Sequence, residues 1–427
     1  MRICVHDSVC QQESKMENFF EFVISPSLKE QIARSGFVRP TPVQSAAIPP
    51  GVEGKDLLAT AQTGTGKTLA FLIPILERLL RDSSDGVAAL ILVPTRELAM
   101  QVAAQHDALR GRKLPTAALI VGGLSEYQQL QALRLGSRVV VATPGRLGDF
   151  LDRRLIQFDN LRMLVLDEAD RMLDMGFRPA IRRIVAALPK ERQTMCFSAT
   201  MEGDTARLVK DYTKNPVRLT FGSTLKPSEN VRLQALEVAA EGKSQALRRL
   251  LKSETGQCLV FARTKRGSER VASQLNREGI QATVIHGDRS QSERTAALRA
   301  FQQRRYRVLV ATDLASRGIH VENIAHVINY DLPEVAENFI HRVGRTGRAG
   351  NRGTASTLFL REQRLELLEL ERKLGIHFER MRVDGLECED GRRISKQIPS
   401  SQPRHKPSLV QLPGEVLQLQ TACPNAL

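Results

Sequence analysis

Two short segments carry residue types at spacings that could do chemistry. Ala61-Gln62-Thr63-Gly64-Thr65-Gly66-Lys67-Thr68 has the make-up of a loop that holds phosphate. Gly64 and Gly66 let backbone N–H groups come close to phosphate oxygens. Lys67 can reach the outer phosphates, and the Thr68 hydroxyl can ligate Mg2+. About a hundred residues further on, Asp167-Glu168-Ala169-Asp170 follows the apolar run Met163-Leu164-Val165-Leu166. A carboxylate at a strand end can hold a metal through water, which suits Asp167. A second can orient and deprotonate an attacking water, which suits Glu168. The two segments together supply both halves of a nucleotide-hydrolysis site. The plainer readings are a glycine-containing strand–helix turn and a pair of acids at a helix N-terminus. The agreement of strand, loop, Lys-Thr pair and helix speaks against them. Ser198-Ala199-Thr200 follows another strand-like run and by itself reads only as a helix cap.

These groups need a scaffold that presents strand ends. Short apolar or β-branched runs alternate with longer helical patterns in two halves of similar size. The first half has Leu57–Ala61, Ala89–Val93, Ala117–Val121, Val139–Ala142, Met163–Leu166 and Thr194–Ser198. The second has Gln257–Phe261, Ala282–His286, Val308–Ala311, His326–Asn329 and Ala355–Leu360. Strands separated by helices predict an α/β fold of two doubly wound parallel sheets, with ligands at the carboxyl ends of the strands. From Leu69 onward an apolar helix turns its positive N-terminus toward the bound anion. The polar, turn-rich stretch 222–230 reads as a linker between a first domain, 18–221, and a second, 231–380. Residues 1–17 read as an N-terminal extension, with Met16 an alternative start, and 381–427 as a flexible basic tail. Within that tail, 391–407 holds Arg392, Arg393, Lys396, Arg404 and Lys406 without an acid; it is either a solvated end or an RNA contact.

The whole chain is basic, with 62 Lys plus Arg against 47 Asp plus Glu and a net charge of +15. That balance favours a polyanionic partner, nucleic acid first. The six cysteines, at 4, 10, 196, 258, 388 and 423, form no Cys-x-x-Cys pair, which argues against a zinc site or disulfide framework. Cys196 and Cys258 lie in strand-like runs and read as core thiols. No apolar run approaches the ~20 residues needed to span a bilayer, and no signal-peptide pattern opens the chain. The expected location is the cytoplasm.

Taken in order, these segments resemble the DEAD-box RNA helicase family of superfamily 2, over roughly residues 19 to 360. The resemblance implies two tandem RecA-like domains, ATP with Mg2+ as cofactors, and RNA as partner. Gly36-Phe37-Val38-Arg39-Pro40-Thr41-Pro42-Val43-Gln44 looks like the family's adenine-sensing element. The Gln44 amide can accept from the adenine amino group and donate to N7. Phe20, or Phe19 beside it, matches the aromatic that stacks on the base. Pro94-Thr95-Arg96-Glu97-Leu98, Gly122-Gly123 and Thr143-Pro144-Gly145-Arg146 match RNA-facing motifs that offer N–H groups, hydroxyls and Arg to a phosphate backbone. In the second half, Arg263, the pair Gln291 and Arg294, and Thr312 match RNA-contacting positions. Asp313 stands in the motif that also touches the nucleotide cleft. Arg342, Arg345 and Arg348 recur every third residue and could form a solvated basic face. The resemblance instead makes Arg345 and Arg348 the arginine fingers on the γ-phosphate, a task for which a permanently charged bidentate group is suited. His341 is then expected to couple Asp170 with Ser198 and Thr200 across the cleft.

One position departs from the family pattern. His320 stands where the family usually has an Asp that contacts the ATP ribose, which implies a weaker closed state or a tolerated exchange. The segment Arg171 to Phe177 and the short tail look closest to RhlE-type bacterial members. The implied activity is RNA-stimulated ATP hydrolysis coupled to cleft closure and local, non-processive unwinding of short duplexes, or remodelling of RNA–protein complexes. The competing classes are an ATP-dependent RNA clamp without turnover and a DNA-directed member of the same superfamily.

Overall fold

The computed structural model describes residues 17–61, 64–82, 84–201, 203–221, 230–313, 324–347 and 351–381. Gln62, Thr63, His320, Arg348, the expected linker up to 229, and nearly all of the expected extension and tail lie outside the described residues.

The first half contributes β1 (Leu57–Thr60), β2 (Ala89–Leu92), β3 (Ala118–Ile120), β4 (Val139–Ala142), β5 (Met163–Asp167), β6 (Gln193–Ser198) and β7 (Val217–Thr220). They form one sheet in the order β3-β4-β2-β5-β6-β1-β7, every pairing parallel. The second half contributes β8 (Val231–Glu237), β9 (Gln257–Phe261), β10 (Ala282–Ile285), β11 (Val308–Ala311), β12 (Ile324–Asn329), β13 (Gly353–Phe359) and β14 (Glu379–Met381). Their order is β10-β11-β9-β12-β13-β8-β14, again all parallel.

The sequence makes both sheets bury both faces. Along β1, Leu57 and Ala59 enter one core and Leu58 the other. Along β9, Leu259 and Phe261 enter one core while Cys258 and Val260 enter the other. Side chains alternate across a strand, so an unbroken apolar run needs helices on both sides, which is the doubly wound arrangement. Cys196 and Cys258 are free and buried, and burial pushes both thiols up. Among the described residues no helix is long and apolar enough to cross a membrane.

Three strands exceed the expectation from sequence: β7, β8 and β14. The first is an edge strand whose side chains are only half covered, so its sequence lacks the apolar run that marks a buried strand. β8 mixes Arg232, Gln234 and Glu237 into its apolar pattern, and β14 is three residues long.

One buried polar chain crosses the second sheet. His326 Nε2 lies 2.8 Å from Ser356 Oγ, and Ser356 donates to Gln234 Oε1 at 2.9 Å. Burial pulls the imidazole from 6.5 down to about 4. Below pH 6.5 the unfolded chain takes up a proton that the folded chain refuses, so stability is lost as pH falls toward 4. The expected loss from this group is about 3 kcal/mol. Urea midpoints at pH 7 and pH 4.5 should therefore differ less in His326→Gln than in the parent; equal pH dependence would contradict the assignment.

Candidate active site

The phosphate loop leaves β1 at the carboxyl edge of the first sheet, where the strand order β5-β6-β1 sets three chemically distinct strand ends side by side. Gly66 has φ 90° and caps the helix Lys67–Arg81. Lys67 is buried, and its Nζ donates to the Ala61 carbonyl at 3.0 Å. Thr65 and Thr68 are partly covered and Gly64 is exposed. A capping box holds the helix Pro42–Val52 against this loop: Thr41 N donates to Gln44 Oε1 at 2.8 Å, and the Thr41 hydroxyl accepts from Gln44 N. The same two side chains reach the loop itself. Thr41 Oγ1 donates to Thr65 O at 2.7 Å, and Gln44 Nε2 donates to Gly66 O at 3.0 Å. A Cβ on Gly66 would collide with Gln44. The Gln44 amide retains one acceptor site and one N–H beyond these bonds, enough for one adenine edge. Of the two aromatics, Phe19 is 2% exposed and belongs to the core, while Phe20 is 57% exposed. Of the two, Phe20 is the one whose ring is open to solvent.

Asp167 ends β5 and is buried. Burial pushes its carboxyl up to about 7, the neighbouring Glu168 and Asp170 add to this, and Lys67 opposes it. Glu168 follows with φ 52°, a left-handed backbone that costs about 1–3 kcal/mol in a residue with a side chain. Burial alone would raise its carboxyl. Arg171, Lys67 and Arg345 together outweigh burial and hold it below the ordinary range. Asp170 binds the end of β6: its Oδ2 accepts from Ala199 N and Thr200 N, both at 3.0 Å, and from Thr200 Oγ1 at 3.4 Å. Asp170 N in turn donates to Ser198 Oγ at 3.3 Å. His341 sits in the last turn of the helix Ala336–Val343, and its carbonyl accepts from Arg345 Nε at 3.2 Å.

The second lobe presents its own strand ends. Arg342 is 2% exposed, makes a bidentate pair with Asp313 at 2.6 and 2.7 Å, and donates to Asp331 O at 2.7 Å. Arg345 is also buried. A solvated basic face is thereby overturned for these two arginines. A cavity of about 800 Å3 is lined by Arg342 together with Arg263, Lys265, Arg266, Arg270 and Thr312, among others.

On the first lobe, Thr95 caps the helix Arg96–Leu109 behind the buried Pro94. The Arg96 guanidinium lies over Gly122 and Gly123, and a Cβ on Gly123, φ 75°, would strike it. Thr143 and Pro144 start the helix Pro144–Asp152, which includes Gly145. Arg146 is held by Glu126 and Asp149, each at 2.8 Å.

Gln291 and Arg294 are not simply turned to solvent. Gln291 Nε2 donates to Glu97 Oε1 at 2.8 Å, and Arg294 Nη2 lies 2.9 Å from the same oxygen. Arg96 Nη1 donates to Gln291 Oε1 at 3.4 Å. Glu97, Arg171 and Arg342 are the site residues that sequence reasoning left without a role. The spacing of Arg171 three residues after Glu168 was a legible signal for a helical ion pair. Nothing local could join Glu97 to a partner in the other half.

The donor set suits a hard cation: the Thr68 hydroxyl and the Asp167 carboxylate offer oxygen atoms, and Mg2+ takes one or two such protein groups together with water and phosphate. Among the described residues no cluster of three His, Cys, Asp or Glu side chains could hold an ion alone.

Comparison with known proteins agrees with this geometry. Residues 41–209 match the DEAD/DEAH box helicase family, and 242–350 match the helicase conserved C-terminal domain. The chain is 42% identical over 336 residues to the ATP-dependent RNA helicase vasa of Drosophila melanogaster, covering 77% of this chain and 51% of vasa. It is 38% identical over 370 residues to the DEAD-box ATP-dependent RNA helicase CshA of Bacillus subtilis, covering 86% of this chain and 75% of CshA. The chain thus spans about half the length of one relative and three quarters of the other. Among solved structures, Saccharomyces cerevisiae Dbp5 bound to RNA and ADP BeF3 superposes with TM-score 0.78 at 29% identity, covering 86% of this chain and 96% of that one. A DEAD box protein from Methanococcus jannaschii gives 0.52 at 39% identity, with 85% and 99% covered. Two parallel seven-stranded sheets in tandem are the RecA-like pair of this family. With both lobes matched, and with three quarters of a relative covered at 38% identity, the chain belongs to the DEAD-box ATP-dependent RNA helicase family.

Proposed function

We propose that this chain is an RNA-dependent ATPase that separates short duplexes locally. The observation that carries the reading is the meeting of two half-sites. Arg345, from the second lobe, lies near enough to act on the charge of Glu168 in the first. Gln291 and Arg294 grip Glu97 in the same sense. A site divided between lobes is complete only when they close, so ligands that close them control the chemistry.

Gln44 and Phe20 recognise adenine. The loop Ala61–Thr68 and Lys67 hold the phosphates, and Glu168 orients the attacking water. Thr68 and Asp167 hold Mg2+, which when bound neutralises charge on the transferring phosphoryl group. Arg345, with Arg348, completes the site from the other lobe. Asp170, bonded to the loop after β6, gives the carboxylate strand a rigid link to Ser198 and Thr200. Arg96, Gly122, Gly123, Thr143 to Arg146, Arg263 and Thr312 face the RNA backbone, so binding is sensitive to salt and nearly blind to sequence. The 2′-hydroxyl favours RNA over DNA. Residues 18–221 and 231–380 are the two working domains. The segment Arg171 to Phe177 supports an RhlE-type member, and the lack of a membrane-spanning helix among the described residues fits work in the cytoplasm.

The direct test is ATP-driven release of a labelled strand from a short RNA duplex, beside the same sequence as DNA. Release from RNA with little from DNA supports the reading. No release despite ATP turnover favours the clamp class, and preference for DNA favours the third class.

The clasp at Glu97 makes a separate prediction. In Glu97→Gln, RNA affinity in the presence of a non-hydrolysable ATP analogue should weaken by about tenfold or more, because one partner of a buried charged pair is removed. Affinity without nucleotide should not change. Anisotropy of a labelled single strand reads both, and equal losses in the two conditions would remove the clasp from the closing step.

A further inference from the structure

Arg171 is among the largest fully buried side chains of the described residues, with 1% of its surface exposed. A lone buried cation is costly and needs a partner. Its Nη1 donates to Glu168 Oε2 at 2.8 Å, and that carboxylate is also buried. Arg171 Nη2 is buried and has no hydrogen-bond partner among the described residues. Glu168 sits at the N-cap position of the helix Ala169–Asp174, yet its side chain makes no capping bond; it turns to Arg171 in the first turn instead. One carboxylate oxygen is therefore held from inside the fold. The Arg171 bond engages Oε2, so Oε1 is the oxygen offered for a further acceptance.

We propose that Arg171 is the positioning residue of the water-activating group: it fixes Oε2 so that Oε1 alone faces the attacking water. This rests on the reading of Glu168 given above. The planar guanidinium suits the task because its donors have a fixed direction, whereas an ammonium on a flexible stem fixes position less well. Arg171 itself touches neither ATP nor water. A carboxylate free to rotate would still carry its charge but would present its lone pair to the water only part of the time, and displacement of a reacting group by about 1 Å can cost 10²-fold in rate.

The full-length chain is assayed with saturating single-stranded poly(U), as Arg171→Met, Arg171→Lys and Glu168→Gln/Arg171→Met. In Arg171→Met, kcat should fall by about 10²-fold, with KM for ATP and analogue-dependent RNA affinity within about twofold of the parent. Arg171→Lys should regain at least about tenfold of that loss. On the Glu168→Gln background, Arg171→Met should change single-turnover rates by less than about twofold, because residues acting through one another are not additive. Three results would overturn the proposal: an unchanged kcat, parallel losses in KM and RNA affinity, or an equal loss on the Glu168→Gln background. Should Arg171→Met fail to fold, the double variant, from which both buried charges leave together, decides. Folding and analogue-dependent RNA binding support positioning; failure of both makes the arginine structural. A parent chain without RNA-stimulated turnover would instead sink the functional reading and take this proposal with it.

Discussion

Glu168→Gln is expected to lower RNA-stimulated ATP turnover by about 10²–10⁴-fold, the usual contribution of a positioned general base. The two side chains have the same shape, but the amide cannot take a proton. Lys67, Arg171 and Arg345 act together to keep the Glu168 carboxylate ionised, although it is buried. ATP-analogue binding and analogue-dependent RNA binding should survive, since the phosphate loop and the Glu97 clasp are untouched. The substitution also leaves the buried Arg171 opposite a neutral group, so a lower thermal midpoint is expected, by about 1–3 kcal/mol in stability. Rapid-quench single turnovers on an RNA-saturated variant give the rate free of product release. A rate within threefold of the parent, with ATP bound normally, would transfer the role of base to another group.

Arg345→Ala should be nearly as severe, at about 10³-fold in kcat, the lower end for an arginine acting on transferred phosphate. Arg345 is buried just beyond the helix Ala336–Val343, and its Nε donates to the His341 carbonyl. That contact fixes the stem and aims the head group. Lysine at this position should recover little, because it lacks the planar fork. ATP affinity should change far less than kcat, since the base and phosphate contacts proposed for the first lobe remain. There is also a pH signature. Arg345 favours ionised Glu168, so its removal raises the Glu168 pKa and moves the acid limb of the pH–rate profile to higher pH. A loss of rate with no such movement would separate the arginine from Glu168.

Much of this was legible in the chain because it is local. The phosphate loop and the Asp167–Asp170 segment are contiguous, and each follows a strand whose apolar run announces it. Eleven strands announce themselves in the same way. β7 escaped because an edge strand needs no continuous apolar sequence, and β14 because three residues make no pattern. What sequence could not supply was pairing at a distance. Glu97 lies 194 residues from Gln291, and no periodicity links them. Arg342 and Arg345 looked as compatible with solvent as with burial until the fold set Asp313 and Glu168 near them. Phe19 and Phe20 differ only in which one the short helix Phe19–Glu21 turns inward. Tertiary context decided these cases.

If RNA closes the divided site and so switches on ATP hydrolysis, turnover must depend on RNA. Steady-state ATP turnover across a titration of single-stranded RNA, at two salt concentrations, tests it most directly. Stimulation should saturate, with half-saturation moving to higher RNA as salt rises. ATP turnover that is equally fast without RNA, or absent at every RNA concentration although ATP binds, would contradict it.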